Sequence, residues 1–159
     1  MAKTATPAIG KKVPDFAAAS TDGGDFSLAT ARGKALVLYF YPKDATSGCT
    51  VEAQEFRDLA EKFRRAGAVV LGVSRDTLKS HVKFREQQAL PFHLLSDPDE
   101  ALCRLFDVIR EKSLYGRKYM GIERSTFLID DKGVLSHEWR KVKVAGHAQE
   151  VLEVLRSLD

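Results

Sequence analysis

The sequence predicts an α/β fold: a central mixed sheet with helices on both faces and an N-terminal β-hairpin. Three observations predict it. Two short, almost wholly apolar runs, ALVLYFY (35–41) and AVVLGV (68–73), have the character of strands covered on both faces. Between them, residues 51–63 carry apolar side chains at roughly helical spacing. Near the C-terminus, TFLI (126–129) and VLSH (134–137) flank DDKG, a strand pair joined by a tight turn.

The elements follow in order. Residues 15–28 hold two short apolar-edged pieces around TDGG, a hairpin with a glycine turn. The first buried strand, 35–41, is closed by Pro42, which cannot extend a ladder. In the helix that follows, Val51, Phe56, Leu59, Ala60 and Phe63 form the predicted inner face. Glu52, Glu55, Arg57, Asp58, Glu61 and Lys62 form the outer one, and Gly67 ends it. After the second buried strand, residues 77–88 read as a helix with Leu78, Val82 and Phe84 inward. Asp97, Pro98 and Glu100 mark a further helix start, a cap followed by proline in the first turn. That helix should bury Leu102, Leu105 and Phe106. Residues 109–124 show little periodicity and read as a long loop. A last helix over 147–157 should bury Val151, Leu152 and Leu155. Residues 1–12 read as a flexible arm and 13–159 as one domain. The element order is a thioredoxin-like layout.

Composition narrows the function classes. The 159 residues carry 25 basic and 22 acidic side chains, a net charge of +3. The signs are interleaved, which argues against a nucleic-acid surface. Two local clusters, Arg110, Lys112, Arg117 and Lys118, then Arg140, Lys141 and Lys143, read as solvated surface, with steering of an anionic substrate as the alternative. No apolar run has membrane-spanning length, and the first residues lack the apolar block of a secretory signal. The expectation is a cytoplasmic protein. Two cysteines make no disulfide framework. His81, His93, His137 and His147 are scattered, and no metal site is expected among them.

Cys49 raises the functional question. It lies after a polar loop, where a helix begins. Unpaired amide N–H groups at a helix start stabilise an anion, and a cysteine in such a place is a better nucleophile than an isolated thiol. The bland alternative is a small core residue, since free cysteine is among the most buried types. Thr46, three residues earlier, can cap the helix, donate to the thiolate or hold an oxygen atom of a substrate.

The stretch YFYPKDATSGCTVEAQEF (39–56), with Pro42, Thr46 and Cys49 in the order proline, three residues, threonine, two residues, cysteine, resembles the peroxiredoxin signature. LPFHLLSDPDE and EKSLYGRKYMGIERSTFLID extend the resemblance to the bacterioferritin-comigratory, or Q-type, branch from about residue 13 onward. It implies a thioredoxin-like fold and thiol-dependent reduction of hydrogen peroxide and organic hydroperoxides. Cys49 takes the peroxidatic role and passes through a sulfenic acid. Arg124 corresponds to the active-site arginine, orienting the peroxide and stabilising the thiolate. Thr46 and backbone N–H groups grip the oxygens, while Pro42 shields the sulfur. No metal, haem or flavin is required.

The chain departs from that pattern in one respect. Many Q-type members carry a resolving cysteine five residues after the peroxidatic one, where this chain has Gln54. Another subgroup has it near Phe84 or Arg85, and it is absent there too. A cycle resolved by an external thiol (thioredoxin, glutaredoxin or a small thiol) is therefore expected. Cys103 is the internal alternative, and a redox-signalling or chaperone module using Cys49 oxidation is the non-enzymatic one. A thiol–disulfide oxidoreductase on the same fold is disfavoured by the lack of a Cys-x-x-Cys pair. The short C-terminus after the last helix points to a monomer, and the 115–122 segment to an apolar pocket wall for organic peroxides.

Overall fold

The computed structural model describes residues 6–158. Residues 1–5 of the expected N-terminal arm lie outside the described residues, as does residue 159. Among the described residues nine strands and five α-helices follow one another: β1 Ala17–Ser20, β2 Asp25–Ser27, β3 Ala35–Phe40, α1 Ser47–Asp58, α2 Ala60–Arg65, β4 Ala68–Ser74, α3 Leu78–Gln88, β5 Leu94–Ser96, α4 Ala101–Leu105, β6 Ile109–Leu114, β7 Arg117–Ile122, β8 Ser125–Ile129, β9 Leu135–Trp139 and α5 His147–Arg156. A 3-10 turn, Leu28–Ala31, follows β2.

Seven strands form one mixed sheet in the order β2-β1-β5-β4-β3-β8-β9. The centre, β3, β4 and β5, is parallel, and the flanking pairs are antiparallel. Alternation along β3 divides the core in two. Val37 and Tyr39 face a layer with Phe56, Phe63, Phe84, Val151 and Leu152, which come from α1, α2, α3 and α5. Leu36, Leu38 and Phe40 face the opposite layer, with Leu28, Leu102, Phe106 and Phe127. Helices thus cover both faces of a thioredoxin-like sheet, as the element order predicts. Gly72 of β4 allows one close approach. A Cβ there would come within 2.8 Å of the Tyr39 ring and of Leu94.

Several local expectations are corrected. The single helix expected over 51–63 is two, broken at Leu59, and the first turn of α1 from Ser47 holds Cys49, where the sequence places a helix start. Val51 faces solvent, whereas Glu52 is 1% exposed, so the inner face of α1 is rotated from the apolar reading. In α3 Val82 is likewise exposed, and His81 takes the buried position. The short strand β5 lies in a segment where the sequence predicts no element. Residues 109–124 are not a loop but a two-stranded hairpin, β6–β7, separate from the main sheet. The helix start expected at Asp97 and Pro98 falls later: α4 begins at Ala101 with Glu100 at the N-cap, while the Asp97 carboxylate still accepts from Leu102 N at 3.0 Å and Cys103 N at 2.8 Å. At the far edge, Gly10 N donates to Leu135 O at 2.8 Å and Val13 N to Gly133 O at 2.9 Å, tying residues 10–13 to the β8–β9 turn and β9.

Candidate active site

The carboxyl edge of the parallel centre carries the loop of interest, where open α/β sheets commonly present their ligand sites. Tyr41 N still donates to Val73 O at 3.0 Å, and Pro42, half-buried and without an N–H, ends the pairing. Ala45 adopts a left-handed conformation, φ 64°, which turns the chain into α1. Thr46 stands at the N-cap in extended conformation, but its hydroxyl makes no cap hydrogen bond. Its Oγ1 instead donates to Lys43 O at 3.1 Å. Thr46 itself is exposed, with its hydroxyl on the loop surface.

Cys49 is the third residue of α1, among the first-turn amides that have no partner inside the helix. Its side chain is 2% exposed and belongs to the layer beneath Tyr39 and Phe56. Cys49 is thus both a member of the core layer and a first-turn residue of α1.

Arg124 precedes β8. Because β8 runs antiparallel to β3, with Ser125 opposite Phe40, its start lies at the same edge as the Cys49 loop. The guanidinium Nη2 stands 3.5 Å from Cys49 Sγ, and Nη1 donates to Glu52 Oε1 at 2.6 Å. Burial works against the Arg124 charge, but Glu52 and Cys49 outweigh it and hold the guanidinium above its ordinary pKa. Gly48 leaves the room this needs. A Cβ on it would lie 3.2 Å from Arg124 Nη2.

Glu52 is the group that the sequence reading placed on the wrong face. It lies three residues after Cys49, one helical turn on, and pairs with Arg124. Its second oxygen, Oε2, has no hydrogen-bond partner among the described residues. Burial pushes the carboxyl up to about 7, against the pull of Arg124. The i+3 spacing from Cys49 was the available signal.

Cys103 is elsewhere. It lies in the opposite core layer, across the sheet from Cys49, and is 0% exposed. Both cysteines are free. Burial, and then the neighbouring Asp97, push the Cys103 thiol well above its ordinary value. The structure therefore places no second thiol near Cys49. Gln54, at the position of the missing resolving cysteine, donates from Nε2 to Gln88 Oε1 at 3.0 Å.

The 115–122 segment belongs to the β6–β7 hairpin. Leu114, Tyr115, Tyr119 and Met120 are exposed along the hairpin. The histidines take separate places in the fold. His81 shares a cluster with Asp44 and Asp76 whose ligand-type atoms lie within 4.8 Å of one another. His147 is buried in the core, its Nε2 2.8 Å from Thr126 Oγ1.

A thioredoxin-like sheet with a cysteine at a helix start and an arginine against its sulfur defines a class, and the comparisons agree. Residues 9–138 match the AhpC/TSA family, and the chain belongs to it. It is a thiol peroxidase working through a peroxidatic cysteine, and within the family it is of the Bcp, or Q, type. Peroxiredoxin Bcp of Xanthomonas campestris is 52% identical over 143 residues, 90% of this chain and 89% of that protein. Peroxiredoxin Bcp of Bacillus subtilis is 50% identical over 151 residues, covering 95% and 96%. Among solved structures, Xanthomonas campestris peroxiredoxin Q superposes with a TM-score of 0.88 at 48% identity, covering 98% of this chain and 99% of that one. The bacterioferritin comigratory protein of Xanthomonas campestris, studied for alkyl peroxide reduction, superposes at 0.85 with 51% identity, covering 89% and 90%.

Proposed function

We propose that Cys49 is the peroxidatic nucleophile and that Arg124, Thr46 and Pro42 complete its site. The observation that carries this reading is the 3.5 Å approach of Arg124 Nη2 to Cys49 Sγ at a helix start. Thiolate sulfur attacks the nearer oxygen of the peroxide. The O–O bond breaks, the departing oxygen takes up a proton and leaves as water or an alcohol, and Cys49 becomes a sulfenic acid. Arg124 and the free amides of the first helical turn face the charge that develops on the oxygens. Thr46 holds the peroxide from the loop side, and Pro42 screens the sulfur. The chemistry draws on no metal or organic cofactor.

An external thiol completes the cycle in this reading. It condenses with the sulfenic acid, releasing water and forming a mixed disulfide. A second thiol then releases Cys49. Placement of Cys103 across the sheet supports this over internal resolution. Thioredoxin, glutaredoxin and small thiols all fit the chemistry. Organic hydroperoxides join hydrogen peroxide as substrates by analogy with the alkyl peroxide activity of the Xanthomonas relative. All the groups named come from one chain, so a monomer suffices. No helix among the described residues is long and apolar enough to cross a membrane. The thiol supply fits a cytoplasmic setting.

The test is oxidation of the reduced protein by stoichiometric peroxide without added thiol, followed by peptide mass analysis. A single oxygen on Cys49 with Cys103 unmodified is the expected result. A Cys49–Cys103 disulfide within one chain overturns external resolution, and an unmodified Cys49 overturns the assignment of the nucleophile.

A further inference from the structure

Beneath the Cys49 loop lies a buried polar cluster that includes none of the four peroxidase groups. Its centre is Asp44, between Pro42 and Thr46. Asp44 Oδ1 accepts from Tyr41 Oη at 2.6 Å. Asp44 Oδ2 accepts from Ser80 Oγ at 2.8 Å and faces His81 Nδ1 at 2.7 Å. The loop backbone is tied as well, since Asp44 N donates to Asp76 Oδ2 at 2.9 Å. Asp76 Oδ2 in turn accepts from Ser74 Oγ at 2.5 Å. On the far side, His81 Nε2 stands 2.9 Å from Leu95 O. A carbonyl can only accept, so the His81 Nε2–H donates to Leu95 O. His81 is 0% exposed and Asp44 7% exposed.

The cluster joins the carboxyl ends of three consecutive parallel strands. Tyr41 and Asp44 follow β3, Ser74 and Asp76 end and follow β4, Ser80 and His81 open α3, and Leu95 belongs to β5. A metal ion is a poor occupant, although Asp44, Asp76 and His81 form a ligand-type group. The Asp44 oxygens, Asp76 Oδ2 and both His81 nitrogens are already committed to protein partners. Satisfied buried networks of this kind fix one geometry. What this one fixes is the turn that carries Pro42 and Thr46, including the left-handed Ala45. The Thr46 hydroxyl bonds within that same turn, to Lys43 O, so the aim of the hydroxyl follows the placement of the loop.

We propose that Asp44 and His81, with Ser80, are positioning residues for the peroxidase reaction, holding the 42–46 loop so that Pro42 and Thr46 meet the peroxide above Cys49. The inference rests on the reading of Thr46 and Pro42 given above. Loosening the cluster misplaces the oxygen-binding groups without touching the sulfur. It therefore slows reaction with peroxide, which needs those groups, and spares reaction with iodoacetamide, which does not.

The experiment compares second-order rates of Cys49 with hydrogen peroxide and with iodoacetamide in wild type, Asp44→Asn, Ser80→Ala, Thr46→Val and the double variant Asp44→Asn/Thr46→Val. Each variant is checked for a cooperative thermal transition. Asp44→Asn is expected to lower the peroxide rate about 10- to 100-fold, and to leave alkylation within about two-fold. Ser80→Ala, which removes one donor and leaves the pair, lowers the same ratio about three-fold or more, and it carries the test if Asp44→Asn does not fold. In the double variant Asp44→Asn costs less on top of Thr46→Val than it does in wild type, because part of its effect runs through that hydroxyl and the rest through Pro42. Unchanged peroxide rates in folded Asp44→Asn or Ser80→Ala, or equal loss of both rates, overturn the proposal while Thr46→Val remains slow. An unchanged rate in Thr46→Val overturns the underlying reading instead.

Discussion

Arg124 Nη2 lies 3.5 Å from Cys49 Sγ although 75 positions separate the two residues in the chain. The contact exists because β8 returns antiparallel beside β3 and begins where β3 ends. A guanidinium at that distance offers charged N–H groups to an oxygen arriving at the sulfur. Replacing Arg124 by Gln should slow reaction with hydrogen peroxide about 10²-fold, with Arg124→Lys intermediate because it keeps the charge and loses the planar fork. Competition against a reporter peroxidase measures both. Unaltered rates would remove Arg124 from the mechanism.

Cys49→Ser should abolish peroxide turnover, while Cys103→Ser should retain it with dithiothreitol as reductant. Cys103 is walled off in the opposite core layer beside Asp97, so its loss acts on that local contact and on packing, away from Cys49. Turnover assays of the two single variants decide this. A dead Cys103→Ser enzyme that is still folded would contradict the placement described.

Gly48→Ala should separate stability from activity. Gly48 lies in the first turn of α1 without a positive φ, so alanine should stabilise the helix by about 0.5–1 kcal/mol. The same Cβ lies 3.2 Å from Arg124 Nη2 and crowds the guanidinium. The expected outcome is a melting temperature no lower than wild type with a peroxide rate reduced about ten-fold. A faster variant would show that Arg124 does not need the space.

Glu52 should make folding stability fall as pH rises. Its folded pKa is about 7, raised by burial above the ordinary 4.5. The folded state therefore holds this proton more tightly than the unfolded chain. Its contribution is full below about pH 4.5 and is lost through pH 7, by roughly 3 kcal/mol at most. Urea unfolding of wild type and Glu52→Gln between pH 4 and 8 should show a flatter profile for the variant in that window.

His147 should act in the opposite direction. Burial holds its folded pKa down to about 4, from 6.5. The unfolded chain takes up a proton first, so stability is intact above about pH 6.5 and falls towards pH 4, by roughly 3 kcal/mol at most. His147→Gln should lose less stability than wild type on that acid limb in the same unfolding series. An equal loss would remove His147 from the acid sensitivity.

Much of this arrangement was legible in the residues. The runs at β3 and β4 announce themselves because both faces are covered and every position is apolar. The sequence signature places Cys49 at a helix start, where it is found. The hairpin β6–β7 was not legible, because a two-stranded ribbon standing in solvent needs no apolar face and shows no alternation. Strand β5 is three residues long and too short for a period to emerge. Glu52 was hidden for a different reason. A charged residue is read as outward by default, and only the fold supplies the arginine that draws it in. Asp44 and His81 were hidden in the same way, since 37 positions separate them and their contact depends on the ends of neighbouring strands.

The division of the two thiols between opposite faces of the sheet gives the molecule a gauge of its own opening. Alkylation at Cys49 registers events at the rim, where the helix begins. Cys103 becomes labelled only when the layer behind the sheet parts. Pulse-labelling a resting sample thus reads two clocks at once, one chemical and one conformational, without adding a single foreign group to the chain.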